Sequence, residues 1–370
     1  MPLKCSSLPV LTWHSVCDAP YTLCFPVALF EEHCRVLAEK GWFGVGLEQA
    51  EDFFLHGREL PPQSFLITLD DGYLDNYVYA WPILRKYGHK AIIFPVAERV
   101  TAASSARGAA GPRPTLEDVW AGRLRVEDLP PAGMEMADRN NPLVCNDWFF
   151  TWDEARLMAA SGVIGFGGHS LRHGAVFTGP EYTDFLRPSG RKIPFDLKVE
   201  NMPWGLPDFR RGAELACRAF LPSAALLRAV AGLVPQEEEE AGEFFRSREG
   251  ELKELVASFQ GRMGEYETEE ERRKRVLSIL QSNRNILNQE LGMEARSFCW
   301  PWGHHGAFGL DMARAAGFEV FYHVSPGPNP PGRPGLIRRL NAKRDTNRTL
   351  NRLRIYSRPL WGEIYRRIRR

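Results

Sequence analysis

The sequence predicts an α/β fold built on a parallel sheet, and three observations carry that reading. Apolar runs of strand length alternate with amphipathic helical segments along much of the chain. One run, Phe65-Leu66-Ile67-Thr68-Leu69, ends in the acidic pair Asp70-Asp71. Another, Val163–Phe166, leads into Gly168-His169-Ser170-Leu171-Arg172-His173. Both place polar, reactive side chains at strand C-terminal ends, where α/β barrels and open sheets put their chemistry.

The elements follow in order. Pro9–His14 reads as the first strand. Val27–Lys40 has helical periodicity, with Phe30, Cys34 and Leu37 on one face, and Gly41 stops it. Ser64–Leu69 is a strand, Leu74–Tyr87 an amphipathic helix that stops at Gly88, and Lys90–Val96 the next strand. Residues 101–147 lose the rhythm; rich in Gly, Pro, Ala and Arg, they read as an insertion over the sheet. Thr151–Ser161 is a helix in which Thr151 and Glu154 form a capping box. Residues 178–265 read as a second insertion, with one helix near Ala224–Val234. Thr268 and Glu271 open a long charged helix that Gly292 ends. Ser297–Trp300 is a strand, Leu310–Ala316 a helix, and Glu319–Ser325 the last strand.

Composition excludes several classes. With 370 residues, 44% hydrophobic and 25% charged, the chain is an ordinary globular protein. A net charge of +1 gives no global field for nucleic acid. The charge is uneven, however: Glu237–Glu240 lies in an acidic stretch, and from Arg338 to Arg370 the only acids are Asp345 and Glu363. The segment Leu360–Ile368 fits either a basic amphipathic helix on anionic lipid or a packed C-terminal helix with a solvated Arg face. The seven cysteines, at 5, 17, 24, 34, 145, 217 and 299, match neither a disulfide framework nor a paired zinc-finger spacing. No apolar stretch has the length of a signal peptide or a membrane span, so the expected location is the cytoplasm.

Adjacent carboxylates repel each other unless a cation or a shared proton relieves them. One Asp with two His is a metal-ligand set with positions left for water and substrate. The other Asp is then free to act as a general base. The bland readings are a helix N-cap for the acid pair and two surface histidines for His-x-x-x-His. Gly167, Gly168 and Gly174 bracket the histidines and argue for a loop over a helix. A third segment, Phe298-Cys299-Trp300-Pro301-Trp302-Gly303-His304-His305-Gly306, offers two indole faces suited to sugar rings. A backbone N–H just past this strand is a candidate oxyanion donor. His304 and His305 read as surface loop residues.

Together these segments resemble the polysaccharide deacetylase (NodB-homology) family over most of the chain. Thr68-Leu69-Asp70-Asp71-Gly72 is similar to the family's Thr-Phe-Asp-Asp-Gly, and His169–His173 to its His-Ser/Thr-x-x-x-His or a form one residue shorter. Cys299–Gly303 is similar to Arg-x-Pro-Tyr-Gly, with Cys299 in the arginine's place. Trp13-His14-Ser15 is similar to the opening Tyr-His-Ser. The late Leu-x-His-Asp motif has no clear counterpart, and His323, which strand alternation would turn inward, stands as the candidate acid.

The resemblance implies a distorted (β/α) barrel over residues 1–340, with insertions at about 101–147 and 178–265, and a basic tail at 341–370. It implies a metal-dependent hydrolase that removes an N-acetyl group from an amino sugar in a glycan or glycan precursor. Asp70 would be the base. Asp71, His169 and His173 would hold a divalent metal: Zn²⁺ first, with Co²⁺, Fe²⁺ or Mn²⁺ as alternatives. The Trp302 N–H would hold the oxyanion, and His14, Trp300 and Trp302 would contact substrate. The expected partner is an N-acetylated glycan or a lipid-linked sugar, not nucleic acid, with the tail able to touch the inner face of a membrane. Two alternatives stand beside it: a deformylase or deacetylase of a lipid-linked amino sugar, and a non-catalytic carbohydrate-binding barrel.

Overall fold

Short strands, buried on both faces, account for the apolar runs in the sequence. The computed structural model describes residues 4–19, 23–131, 146–188 and 202–368. Cys145, Arg369, Arg370 and parts of both expected insertions lie outside the described residues. The main sheet contains β1 (Val10–Trp13), β2 (Phe43–Val45), β3 (Ser64–Asp71), β4 (Ala91–Pro95), β5 (Ile164–Phe166), β6 (Ser297–Cys299), β7 (Val320–His323) and β8 (Ile337–Asn341). Their order is β6-β7-β8-β1-β3-β4-β5, with β2 paired to the first residues of β3. Every pair is parallel. A bridge between Gly168 and Phe298 brings the chain after β5 against β6, so seven strands form a nearly closed barrel. This is the expected α/β barrel. Parallel strands put all their C-terminal ends on one edge, and that edge carries the site.

Alternation along the strands decides what fills the barrel. Val10, Leu66, Ile92, Phe94, Val320, Tyr322 and Ile337 share one core, to which the helix Leu47–His56 adds Phe53 and Phe54. The helix Trp152–Ala160 has the expected capping box: Glu154 N donates to Thr151 Oγ1 at 3.3 Å, and Thr151 N donates to the Glu154 carboxylate at 2.8 Å.

Several elements differ from the sequence reading; β2 and the helix Leu47–His56 are absent from it. Glu319–Ser325 does not hold the last strand, because β8 follows it. Arg338 and Arg339 interrupt the apolar run there and hide its strand character. A helix, Ala97–Arg107, enters the stretch expected to lack rhythm; its Ala, Ser and Thr residues give little apolar periodicity. The segment after Gly72 is not one α-helix: Asn76–Ala80 forms a π-helical turn and Trp81–Lys86 an α-helix. Pro82, which lacks an N–H, falls where the ladder changes register.

The chain divides into two compact units, Met1–Leu171 with Leu280–Gly303 and Ala313–Arg370, and Arg172–Ile279 with His304–Met312. The first contains the barrel. The second has an antiparallel hairpin, Ala175–Phe185 with Pro207–Ala213, and the helices Ala224–Leu233, Glu238–Ser247 and Glu249–Ala257. Phe209, Leu226, Val230, Phe244, Leu252 and Val256 belong to its own apolar core. In the first unit the basic C-terminal segment forms two helices. Thr346–Tyr356 buries Leu350, Leu353 and Tyr356. Pro359–Ile368 buries Gly362 and leaves Leu360 and Ile368 72% and 77% exposed. Among the described residues, no helix is long and apolar enough to cross a membrane.

Candidate active site

The acid pair sits where β3 turns over. Asp71 has a left-handed φ of 73°, and Gly72 follows at 84°. A Cβ on Gly72 would lie 2.9 Å from Pro95 Cβ, so both the backbone angle and the close approach favour glycine. The turn sends the two carboxylates to different partners.

Asp70 is buried and meets Arg339 from β8 in a two-pronged ion pair, Nη1 to Oδ1 at 2.7 Å and Nη2 to Oδ2 at 2.8 Å. Arg339 Nη1 also lies 3.1 Å from Thr12 Oγ1 and 3.3 Å from Thr68 Oγ1, in a fork held by β1 and β3. His14 Nε2 is 3.7 Å from Asp70 Oδ2. Burial alone would raise the Asp70 pKa, but the Arg339 charge outweighs it and holds the carboxyl well below the usual carboxylate range. The carboxylate form of Asp70 is therefore favoured, with both oxygens engaged by Arg339 as acceptors.

The histidine loop is shaped by glycine. A Cβ on Gly167 would meet the Phe94 ring at 2.6 Å, and one on Gly168 would meet Asn283 Oδ1 at 2.4 Å. Gly168 N donates to Ser297 O at 2.9 Å, and Cys299 N donates to Gly168 O at 2.8 Å. His169 Nδ1 lies 2.9 Å from Cys299 O. A carbonyl only accepts, so Nδ1 carries the proton and Nε2 is left as the donor atom for a metal. That Nε2 faces Asp71 Oδ1 at 3.4 Å. Asn283 Nδ2 supports the loop by donating to Ser170 O at 2.9 Å.

Asp71, His169 and His173 are all buried and each offers one ligand atom, the three lying within 4.8 Å of one another. One carboxylate and two imidazoles suit a divalent cation and leave coordination positions for water and substrate. A second set, Asp70, His169 and Cys299, meets the same distance limit. It fits a cation poorly, because both Asp70 oxygens are bound by Arg339 and burial pushes the Cys299 thiol up.

The remaining candidates divide. Trp302 follows β6 with a left-handed φ of 53° and is 40% exposed. Trp300 is 0% exposed, stacked on Phe321 and edge-on to Phe298. It is a core residue and offers no face to a sugar, contrary to expectation. His323 ends β7, with Nε2 3.4 Å from Ser325 Oγ. Val320 and Tyr322 face the barrel core, so alternation turns His323 to the side of Phe321 and not inward. Arg339 was not among the sequence candidates. Its one local signal is an arginine inside a short apolar strand.

Residues 57–185 match the polysaccharide deacetylase family. A Bacillus subtilis (strain 168) protein provisionally named polysaccharide deacetylase YxkH is 35% identical over 97 residues, 26% of this chain and 34% of that protein. The poly-β-1,6-N-acetyl-D-glucosamine N-deacetylase of Escherichia coli (strain K12) is 23% identical over 163 residues, 43% of this chain and 20% of that protein. The matched regions thus span 34% and 20% of these curated relatives. Among solved structures, a de-N-acetylase from Aggregatibacter actinomycetemcomitans aligns with TM-score 0.58 at 17% identity, covering 94% of this chain and 99% of that one. The BpsB deacetylase domain from Bordetella bronchiseptica aligns with TM-score 0.56 at 21% identity, covering 91% and 96%. At these identities the structural likeness carries the fold.

Proposed function

We propose, for a chain whose residues 57–185 belong to the polysaccharide deacetylase family, that it is a metal-dependent hydrolase removing the N-acetyl group of an amino sugar in a glycan. The observation that carries this reading is the division of labour between adjacent carboxylates. Asp70 is paired two-pronged with Arg339, while Asp71 shares a buried donor set with His169 and His173. A divalent cation, Zn²⁺ in first place, would be held by those three residues and would supply Lewis acidity there. Asp70 accepts the proton of the attacking water, and Arg339 keeps its carboxylate oriented. The Trp302 N–H, just past β6, donates to the developing oxyanion. The exposed Trp302 indole packs on the sugar, and His14 borders the same carboxylate. The products are acetate and a free amine.

The test is acetate release from N-acetylated oligosaccharides with added Zn²⁺, Co²⁺ or Mn²⁺. β-1,6-linked N-acetylglucosamine oligomers come first, because a relative is named for that polymer. Asp70→Asn is expected to retain metal and lose turnover by roughly 10²–10⁴-fold. Asp71→Ala, His169→Ala and His173→Ala are each expected to lower bound metal, read by elemental analysis. Near-normal turnover in Asp70→Asn would remove Asp70 from the role of base. A non-catalytic carbohydrate-binding barrel needs neither the donor set nor the Arg339 fork. It becomes the better reading if the metal-loaded protein binds these oligomers and releases no acetate.

The lipid-linked variant of this reading draws on the C-terminal helix Pro359–Ile368. Its exposed Leu360, Trp361, Ile364 and Ile368 and its neighbouring arginines suit an anionic lipid surface.

A further inference from the structure

Two buried thiols next to the barrel mouth take no part in the proposed chemistry. After β1, Ser15–Val16 pairs in parallel with Cys24–Phe25, in register Ser15 with Cys24 and Val16 with Phe25. This short ladder holds Cys17 beside Cys24, with their Sγ atoms 2.8 Å apart. Neither is in a disulfide in this structure, and they are 1% and 3% exposed. A disulfide has an S–S separation of about 2.05 Å, so closing the bond requires movement of less than about 1 Å.

We propose that Cys17 and Cys24 form a reversible disulfide. The oxidant is a small-molecule disulfide. One cysteine thiolate attacks it and expels one small thiol, and the second cysteine sulfur attacks the mixed disulfide and expels the other. Two protein thiols thereby lose two protons and two electrons, and the small disulfide is reduced to two thiols. The shared Sγ contact and burial raise the Cys17 pKa far above the usual thiol range, which slows thiolate attack in the folded chain.

The bond would clamp the Ser15–Val16/Cys24–Phe25 ladder, which connects through polar contacts to His14 beside the proposed base. Ser15 Oγ is 3.2 Å from Cys17 Sγ and 3.6 Å from Cys24 Sγ, and it donates to Asp75. Asp75 Oδ1 also accepts from Val16 N at 2.9 Å and Asn76 Nδ2 at 2.7 Å. Asn76 Nδ2 donates to His14 O at 2.9 Å, and the His14 ring borders Asp70. The dithiol and His14 are joined by a contiguous set of short polar contacts.

The experiment refolds the full chain from denaturant in oxidised and reduced glutathione. The product is then alkylated with N-ethylmaleimide in denaturant without reductant, and its intact mass is measured. With seven cysteines in the chain, the expected oxidised product carries five adducts, and peptide mapping links residues 17 and 24. Dithiothreitol restores all seven. Cys24→Ser refolded the same way should label at all six remaining thiols. The oxidised wild type should melt several degrees above its reduced form. Seven adducts after oxidation, a bond between other cysteines, or glutathione retained on Cys17 or Cys24 in place of the cross-link would each overturn the proposal. The wild-type adduct count decides the matter even if Cys24→Ser does not fold. Equal melting temperatures of the two forms would overturn the clamp.

Discussion

Arg339 and Asp70 are 269 residues apart in sequence and touch through two hydrogen bonds in the barrel. A buried ion pair of this kind adds little net stability over a well-packed apolar pair. Removing one partner, however, leaves an uncompensated buried charge at a cost of about 3–5 kcal/mol. Arg339→Met is therefore expected to lower unfolding free energy by roughly that amount in urea denaturation, with the double variant Asp70→Asn/Arg339→Met recovering part of it. Losses that simply add would show that the two side chains are not coupled. This pair also marks the limit of legibility at the residue scale. Asp70, Asp71, His169 and His173 were visible because each follows a short apolar strand and glycines flank them. No local pattern could announce a partner on a strand so distant. Nor could the sequence separate Trp300 from Trp302, because the left-handed turn at Trp302 decides which indole is exposed. Among the described residues, four of the five non-glycine residues with positive φ are Asp71, Ser170, His173 and Trp302, so this strain gathers at the site, where such strain serves preorganisation.

The helix Trp152–Ala160 was read correctly because its start signal is local: Thr151 and Glu154 satisfy each other's backbone N–H groups. The structure adds Arg113, whose guanidinium and backbone N–H also bind the Glu154 carboxylate. Burial would raise the Glu154 pKa, but Arg113 wins and lowers it below the ordinary 4.5. On acidification the unfolded chain therefore takes up this proton first. The stabilisation is complete above about pH 4.5 and is lost as the pH falls through the depressed value. Glu154→Gln should cost stability at pH 7, and its deficit relative to wild type should shrink below pH 4.5; a deficit independent of pH would contradict this. Among the elements missed, β8, with its two arginines, and the small-residue helix Ala97–Arg107 have patterns set by tertiary contact. The last helix is a different case, since its amphipathic pattern was plain and its apolar face is exposed. Leu360, Trp361, Ile364 and Ile368 share that face, while Gly362 packs near Tyr356 and Pro328 on the other. Truncation at Ser357 is expected to reduce co-sedimentation with phosphatidylserine vesicles at low salt, with turnover of soluble oligosaccharide unchanged. Loss of both would make the helix a structural part of the barrel unit.

At the scale of the whole barrel, closure and the proposed metal site are one problem. The wall is continuous from β6 through β8 and β1 to β5, and among the described residues the join to β6 is the Gly168–Phe298 bridge just past β5. The bonds there are Gly168 N to Ser297 O and Cys299 N to Gly168 O. His169 is the next residue, and its Nδ1 donates to Cys299 O across the same seam. A cation shared by Asp71 of β3 and His169 would thus tie β3 to the join between β5 and β6. The parallel order was legible from the alternation of strands and helices; the seam was not, because β5 and β6 are separated by more than a hundred residues. Binding to the folded chain alone stabilises it by about 2.7 kcal/mol at a free ligand concentration 100 times Kd. Saturating Zn²⁺ should therefore raise the melting temperature and slow hydrogen exchange at the Gly168 and Cys299 amides. Exchange of amides in the second unit's helices should change less. Asp71→Ala should abolish both responses while the apo protein stays folded. If zinc binds and raises the melting temperature but leaves exchange at Gly168 and Cys299 unchanged, the ion sits on the barrel rim without bracing the seam. Closure would then rest on the glycine pair and the His169–Cys299 hydrogen bond alone.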